Sequence, residues 1–135
     1  MRHFVGYHNP TRMGYSAFTD PNPFSFYTSK TLRDVIGDVV WVVTGQGEGR
    51  KTFYLSCWFV IDEIRPSDDA EFGYVVSGKN GGLCDPVPVL NEEQWFSEFL
   101  RKMANFSLGF NEIRDPEIIE AFRVLAEDGN CPQSG

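Results

Sequence analysis

Tyr7-His8-Asn9 closes the first aromatic-rich run of the sequence, and Phe24, Phe26, Tyr27, Thr28 and Ser29 crowd a second short stretch. Aromatic rings beside short hydrogen-bonding side chains are what a pocket needs to stack a planar heterocycle and read its edge. Ring faces supply stacking of roughly 1 to 3 kcal/mol per base, while Asn, Ser, Thr and backbone groups supply selectivity. The competing reading is that Phe24 and Phe26 pin a long loop to the body of the protein. Other chemistries are poorly represented. There is no Gly-x-Ser-x-Gly elbow, and the only histidines are His3 and His8, so no nucleophile has an evident base. Neither a His-x-x-x-His pair nor a Cys and His cluster occurs, and no metal site or cofactor is expected. Gly45 to Gly49 lacks the Lys-Ser or Lys-Thr of a phosphate loop and reads as a hairpin turn. The pairs Asp62-Glu63, Asp68-Asp69 and Glu92-Glu93 fall in polar or helix-start positions that explain them. No residue is expected to be catalytic, and the chain is not expected to be an enzyme.

Positioning such a pocket takes a folded domain, and the composition allows one. The chain has 135 residues and a mass of 15.3 kDa, enough for one compact domain burying roughly 70% of its extended surface. We expect a single domain over residues 1–129 and a frayed tail over 130–135. Twelve Phe, five Tyr and three Trp exceed what a core of this size strictly needs. No apolar run approaches the roughly 20 residues of a bilayer span, and the stretch from Met1-Arg2-His3-Phe4 lacks the apolar run expected of a signal peptide. A cytoplasmic protein that makes no membrane contact is the expectation. Cys57, Cys84 and Cys131 are odd in number and widely spaced, which argues against a disulfide framework, and Cys57 reads as a packed small hydrophobe.

The net charge of −7 opposes loose binding to nucleic acid, whose affinity comes from Lys and Arg displacing counterions from phosphates. The charge is uneven: residues 1–51 carry a balance of +2 and residues 52–135 one of −9. A polyanion would therefore face the amino-terminal part.

Periodicity supplies the elements. His3 to Tyr7 reads as a strand ending at Asn9-Pro10, and residues 9–25 as a long loop. Ser29 to Ile36, closed by Gly37, reads as a short helix with Ser29 as its cap. Asp38 to Thr44 is a β-branched run typical of a strand buried on both faces. Lys51 to Ile64 follows as a strand with Phe53, Leu55, Cys57, Phe59 and Ile61 on one core face. Glu71 to Val76 gives another strand, and Ser77 to Asp85 a glycine-rich loop. Asn91-Glu92-Glu93-Gln94 has the form of a capping box before a helix carrying Trp95, Phe96, Phe99, Leu100 and Met103. Asp115-Pro116 opens a second helix with Ile118, Ile119, Phe122 and Leu125 facing inward and Gly129 ending it. The expected fold is α+β, a small curled antiparallel β-barrel with flanking helices.

Ile36-Gly37-Asp38-Val39-Val40-Trp41, the strand Leu55 to Ile64 with Phe59-Val60-Ile61-Asp62-Glu63-Ile64, and Asn105-Phe106-Ser107-Leu108-Gly109-Phe110-Asn111-Glu112-Ile113 together resemble the PUA-like superfamily, most closely its EVE and YTH-type domains. The chain lacks the Lys-x-Glu-Pro start of the EVE pattern and has Tyr27-Thr28-Ser29-Lys30 where that pattern has Val-Arg-Asn. The resemblance implies a base-binding pocket at a barrel mouth, lined here by Tyr7, His8, Asn9, Phe26, Tyr27, Thr28 and Ser29, with Trp41 and Trp58 as further candidates that can equally be core. It implies a reader of a modified, flipped base such as methylated cytosine in DNA or RNA, partnered by a nuclease domain or subunit in a restriction or defence system. Arg12, Lys30, Arg33, Arg50 and Lys51 are the expected phosphate contacts. A protein–protein interaction module or a small-metabolite-binding domain is the alternative.

Overall fold

Apolar and β-branched runs form the strands, and their order fixes which residues meet. The computed structural model describes the chain except residues 30, 31, 48, 69–71, 107, 108, 129–132 and 135, and the side chains at 11, 12, 128, 133 and 134. The first half contains His3–His8 (β1), one turn of helix Pro10–Met13 (α1), Ser25–Thr28 (β2), Val39–Gln46 (β3) and Thr52–Val60 (β4). Glu63–Pro66 (β5), Tyr74–Ser77 (β6), Gly81–Leu83 (β7) and Phe96–Lys102 (α2) follow. Phe110–Ile113 (β8), Pro116–Asp128 (α3) and Gln133–Ser134 (β9) complete it, β9 lying within the expected tail.

Six strands form one sheet in the order β8-β1-β3-β4-β7-β9, and three form a second, β2-β6-β5. The class is mixed α+β as expected, but no closed barrel is found among the described residues. Nor is the large sheet wholly antiparallel: β1 runs parallel to β3, His3 opposite Val39 through His8 opposite Thr44. A parallel pair needs a long crossover, and residues 9–38 supply it. Within that crossover the expected loop holds α1 and a 3₁₀ turn at Ala17–Thr19, and β2 begins at its last residue, Ser25.

The large sheet is buried on both faces. On one, Val5, Val39, Trp41, Val43 and Leu55 pack against Phe96 and Phe99 of α2 and Phe122 of α3. On the other, Phe4, Val40, Val42, Cys57 and Phe59 pack against Phe26 of β2 and Val76 of β6. This corrects the single core face expected for β4. Val42 pairs with Cys57 but Val43 with Leu55, so Ser56 is the extra residue of a β-bulge. The bulge turns Phe53 and Leu55 toward the helices and leaves Cys57, Phe59 and Ile61 facing the small sheet. The expected strand to Ile64 also divides, because the chain leaves the large sheet at Ile61, whose N–H donates to Asp38 O at 2.8 Å, and enters β5 at Glu63.

Two local expectations fail for identifiable reasons. The Ser29–Ile36 helix is absent from its described part, residues 30 and 31 lying outside it. Asp34 has φ of 55°, and the Arg2 guanidinium takes the carbonyls of Arg33 and Asp34, each at 2.7 Å, while bonding Asp38 Oδ2 at 2.9 Å. Asn91 does not cap a helix: its side chain accepts from Phe53 N at 2.6 Å and donates to Lys51 O at 3.1 Å, and α2 begins only at Phe96. The Asp115-Pro116 start of α3 does form, Asp115 Oδ1 accepting from Glu117 N at 2.9 Å.

Cys57 is a free, buried thiol whose pKa is pushed up to about 12, first by burial, which disfavours the thiolate. Cys84 is disulfide-bonded, contrary to the inference from cysteine spacing. Such bonds are uncommon in cytosolic proteins. Among the described residues no helix is long and apolar enough to cross a membrane.

His3 is buried, and its Nδ1 accepts from Trp41 Nε1 at 3.1 Å, so protonation there would destroy a core hydrogen bond. Burial lowers its pKa from the ordinary 6.5, helped by Arg123 and the amino terminus and opposed by Asp38. The unfolded chain therefore binds the proton more readily, and stability present above pH 6.5 is lost as pH falls through the lowered value. Thermal denaturation is expected to show a midpoint that drops on moving from neutral to mildly acidic pH, and His3→Gln is expected to flatten that step. An identical pH profile in wild type and variant contradicts the assignment.

Candidate functional site

A cavity of about 480 Å³ opens at the carboxyl end of β1. Successive strand residues point to opposite faces, so Tyr7 enters from the helix side of the large sheet and His8 from the small-sheet side. Tyr7, His8 and Asn9 line the cavity together with Phe26, Tyr27, Thr28 and Ser29, so the two stretches singled out from sequence converge. Packing of the small sheet on the large one explains why: β2 lies over β1 closely enough that a Cβ on Gly6 would sit 2.8 Å from the Phe26 ring.

The helix-side wall is a stack of rings. Tyr7 lies on Phe106 with centroids 5.1 Å apart and planes within 7°, and Phe53 tilts against both at 6.0 and 5.8 Å. Gly45 gives the Tyr7 hydroxyl its space, since a Cβ there would lie 2.5 Å from that oxygen. Lys51 crosses this wall, its Nζ 3.5 Å from Tyr7 Oη and 5.9 Å from the ring centroid. On the opposite wall Phe26 contacts Phe110 at 5.5 Å and Tyr27 contacts Phe72 at 6.1 Å.

Polar groups between these walls are held in place. His8 Nε2 donates to Tyr15 O at 2.8 Å, which fixes the proton on Nε2, and the His8 ring meets the Tyr15 ring at 5.1 Å. The His8 carbonyl accepts from Thr44 Oγ1 at 2.9 Å. The pKa of Tyr15 is raised, first by burial and then by Asp20 and Tyr27, so its hydroxyl stays a neutral donor. Asp20, Ser25 and Asn105 also reach the cavity. Among the described residues no cluster of His, Cys, Asp and Glu is arranged to hold a metal ion. The arrangement suits stacking and hydrogen bonding of a flat polar guest.

The other expected site residues are dispersed. Trp41 is 3% exposed and lies in the helix-side core against Phe122, 5.6 Å between centroids. Trp58 packs on the same core, and neither tryptophan lines the cavity. Of the expected phosphate contacts whose side chains are described, only Lys51 lines it. Arg50 is the exposed neighbour of Lys51, and Arg33 is exposed near the opposite end of β1, where Arg2 bonds its carbonyl. Lys30 and the side chain of Arg12 lie outside the described residues. Missed from sequence were Tyr15, Asp20, Phe53, Asn105, Phe106 and Phe110. The signal for Asn105, Phe106 and Phe110 was available in the segment that carries the resemblance, but nothing in it pointed to β1.

Phe106 reaches Tyr7 through a strained turn. Ala104, Asn105 and Phe106 have φ of 50°, 55° and 62°, three consecutive left-handed residues without a glycine. Left-handed backbone costs L-residues roughly 1–2 kcal/mol each, least for Asn, so the cavity edge stores strain. Comparison with protein families, curated proteins and solved structures finds no match for this chain. Ala104→Gly is expected to raise stability by about 0.5–1 kcal/mol, the relieved strain exceeding glycine's entropic cost. Urea denaturation measures it, and a loss of stability would contradict the strain assignment.

Proposed function

We propose that the protein is a non-enzymatic binding module for a modified, flipped nucleobase, such as methylated cytosine, in DNA or RNA. The observation that carries this reading is the single cavity uniting Tyr7, His8 and Asn9 with Phe26, Tyr27, Thr28 and Ser29, ring faces beside short polar side chains. Its volume of about 480 Å³ lies within the range of small-ligand sites and leaves room for a base with its sugar. The PUA-like resemblance supports the same reading and suggests a nuclease domain or subunit as the partner in a defence system. A flipped base costs a few kcal/mol to extrude, least when mispaired, modified or single-stranded. With a net charge of −7 the domain gains little from non-specific phosphate contacts, so the cavity itself must carry selectivity.

Fluorescence anisotropy against oligonucleotides carrying common base modifications tests this. A modified oligonucleotide is expected to bind more tightly than its unmodified counterpart. Tyr27→Ala and Asn9→Ala are each expected to weaken that binding about tenfold or more, as loss of stacking or edge contacts does. Tyr27 is 36% exposed, so its truncation should leave the melting temperature nearly unchanged. Variants that bind like the parent would show the cavity is not the site.

A further inference from the structure

Two opposite charges line the cavity without neutralising each other. Asp20 and Lys51 are the only carboxylate and the only ammonium among its described lining residues. Neither joins an ion pair among the described residues. Among the described residues Lys51 Nζ has only the Tyr7 hydroxyl at 3.5 Å and the face of its ring. Asp20 Oδ1 accepts from Asn22 N at 2.8 Å, which leaves most of the acceptor capacity of the carboxylate uncommitted.

Their placement is ordered. Lys51 stands on the Tyr7 and Phe106 side, whereas Asp20 follows the 3₁₀ turn that carries Ala17–Thr19, on the side of Tyr15 and Tyr27. The contribution of Asp20 to the raised pKa of Tyr15 agrees with that proximity. A guest lying between the ring walls thus meets an acceptor-only group at one end and a cation at the other.

Resting on the base-binding reading above, we propose that the cavity selects an amino-bearing nucleotide, the exocyclic amine of cytosine or adenine donating to Asp20 and a phosphate lying on Lys51. A carboxylate accepts from an amino group but repels a keto oxygen, so a keto base in the same pose leaves two acceptors face to face. An ammonium in an otherwise acidic protein, held by nothing stronger than a phenol, is matched by a phosphate oxygen. Asp20 is therefore a specificity-determining residue, and Lys51 orients the nucleotide by its phosphate.

Calorimetric titration with matched mononucleotides tests the assignment: 5-methyldeoxycytidylate against thymidylate, deoxyadenylate against deoxyinosinate, and 5-methyldeoxycytidine and deoxyadenosine without phosphate. In the pair whose ring size the cavity accepts, the amino member is expected to bind about tenfold or more tightly than the keto member, and than its own nucleoside. Asp20→Asn keeps the contact to Asn22 through its amide oxygen and is expected to bring the amino-to-keto ratio near one. Lys51→Gln is expected to abolish the preference of nucleotide over nucleoside. Equal wild-type affinities within each pair, or ratios unchanged in the variants, overturn the proposal and leave base binding standing. If no mononucleotide binds while a modified oligonucleotide does, the two-charge recognition is likewise overturned. If neither monomers nor modified oligonucleotides bind, the base-binding reading fails with it.

Discussion

Parallel pairing of β1 with β3 is the constraint around which the molecule is arranged. Both strands are buried on both faces, so each face of the large sheet must be covered by a layer: α2 and α3 on one side, the β2-β6-β5 sheet on the other. The crossover that makes the pairing possible is itself used as a layer, because β2 lies within it. Where β1 ends, the alternation of its side chains sends Tyr7 to one layer and His8 to the other. A cavity at that point draws one wall from each. The carboxyl end of a parallel strand is a common place for ligands in open sheets, where connections diverge and leave a crevice.

The same constraint explains the aromatic surplus. The ring cluster of Trp41, Trp95, Phe99 and Phe122 holds the helices to the sheet and stands apart from the cavity. Tyr7, Phe53 and Phe106 form a second cluster that continues that core and terminates at the cavity. Rings fixed by neighbouring rings lose little rotamer freedom when a guest stacks on them, which is how a rigid wall favours binding. Gly6 and Gly45 belong to this arrangement, since each leaves the volume that Phe26 or Tyr7 occupies.

What the sequence disclosed follows from the range over which each signal acts. β1, β3 and α3 were legible because burial and capping there are written in adjacent residues, as in Val39–Gln46 and Asp115-Pro116. The bulge at Ser56 was not, because it depends on two strands meeting and no local residue announces it. The Ser29–Ile36 helix failed because Arg2, roughly thirty residues away, takes the carbonyls that local reasoning assigned to a helix. Asn91 failed likewise, its amide being committed across the chain to Phe53 and Lys51. At the site, Tyr7–Asn9 and Phe26–Ser29 stood out by composition, whereas Phe106 looked like any apolar residue after a helix. Its membership comes from a left-handed turn that no glycine marks.

If the cavity binds a base as proposed, charge distribution separates recognition from adhesion. Lys51 reaches the cavity while Arg33 stands near the far end of β1, so these two described cations of the amino-terminal part stand apart. Among the described residues, a duplex laid over the cavity would find Lys51 as the cation that lines it, against the several phosphate contacts that sustain non-specific affinity. Weak adhesion of this kind costs little selectivity, because unmodified polymer competes poorly when counterion release is small. It also means that tight binding to a long nucleic acid requires phosphate contacts from elsewhere, a second domain or subunit acting through effective concentration. On the proposed reading, the cavity decides which nucleotide is held, and a partner decides how firmly the polymer is kept.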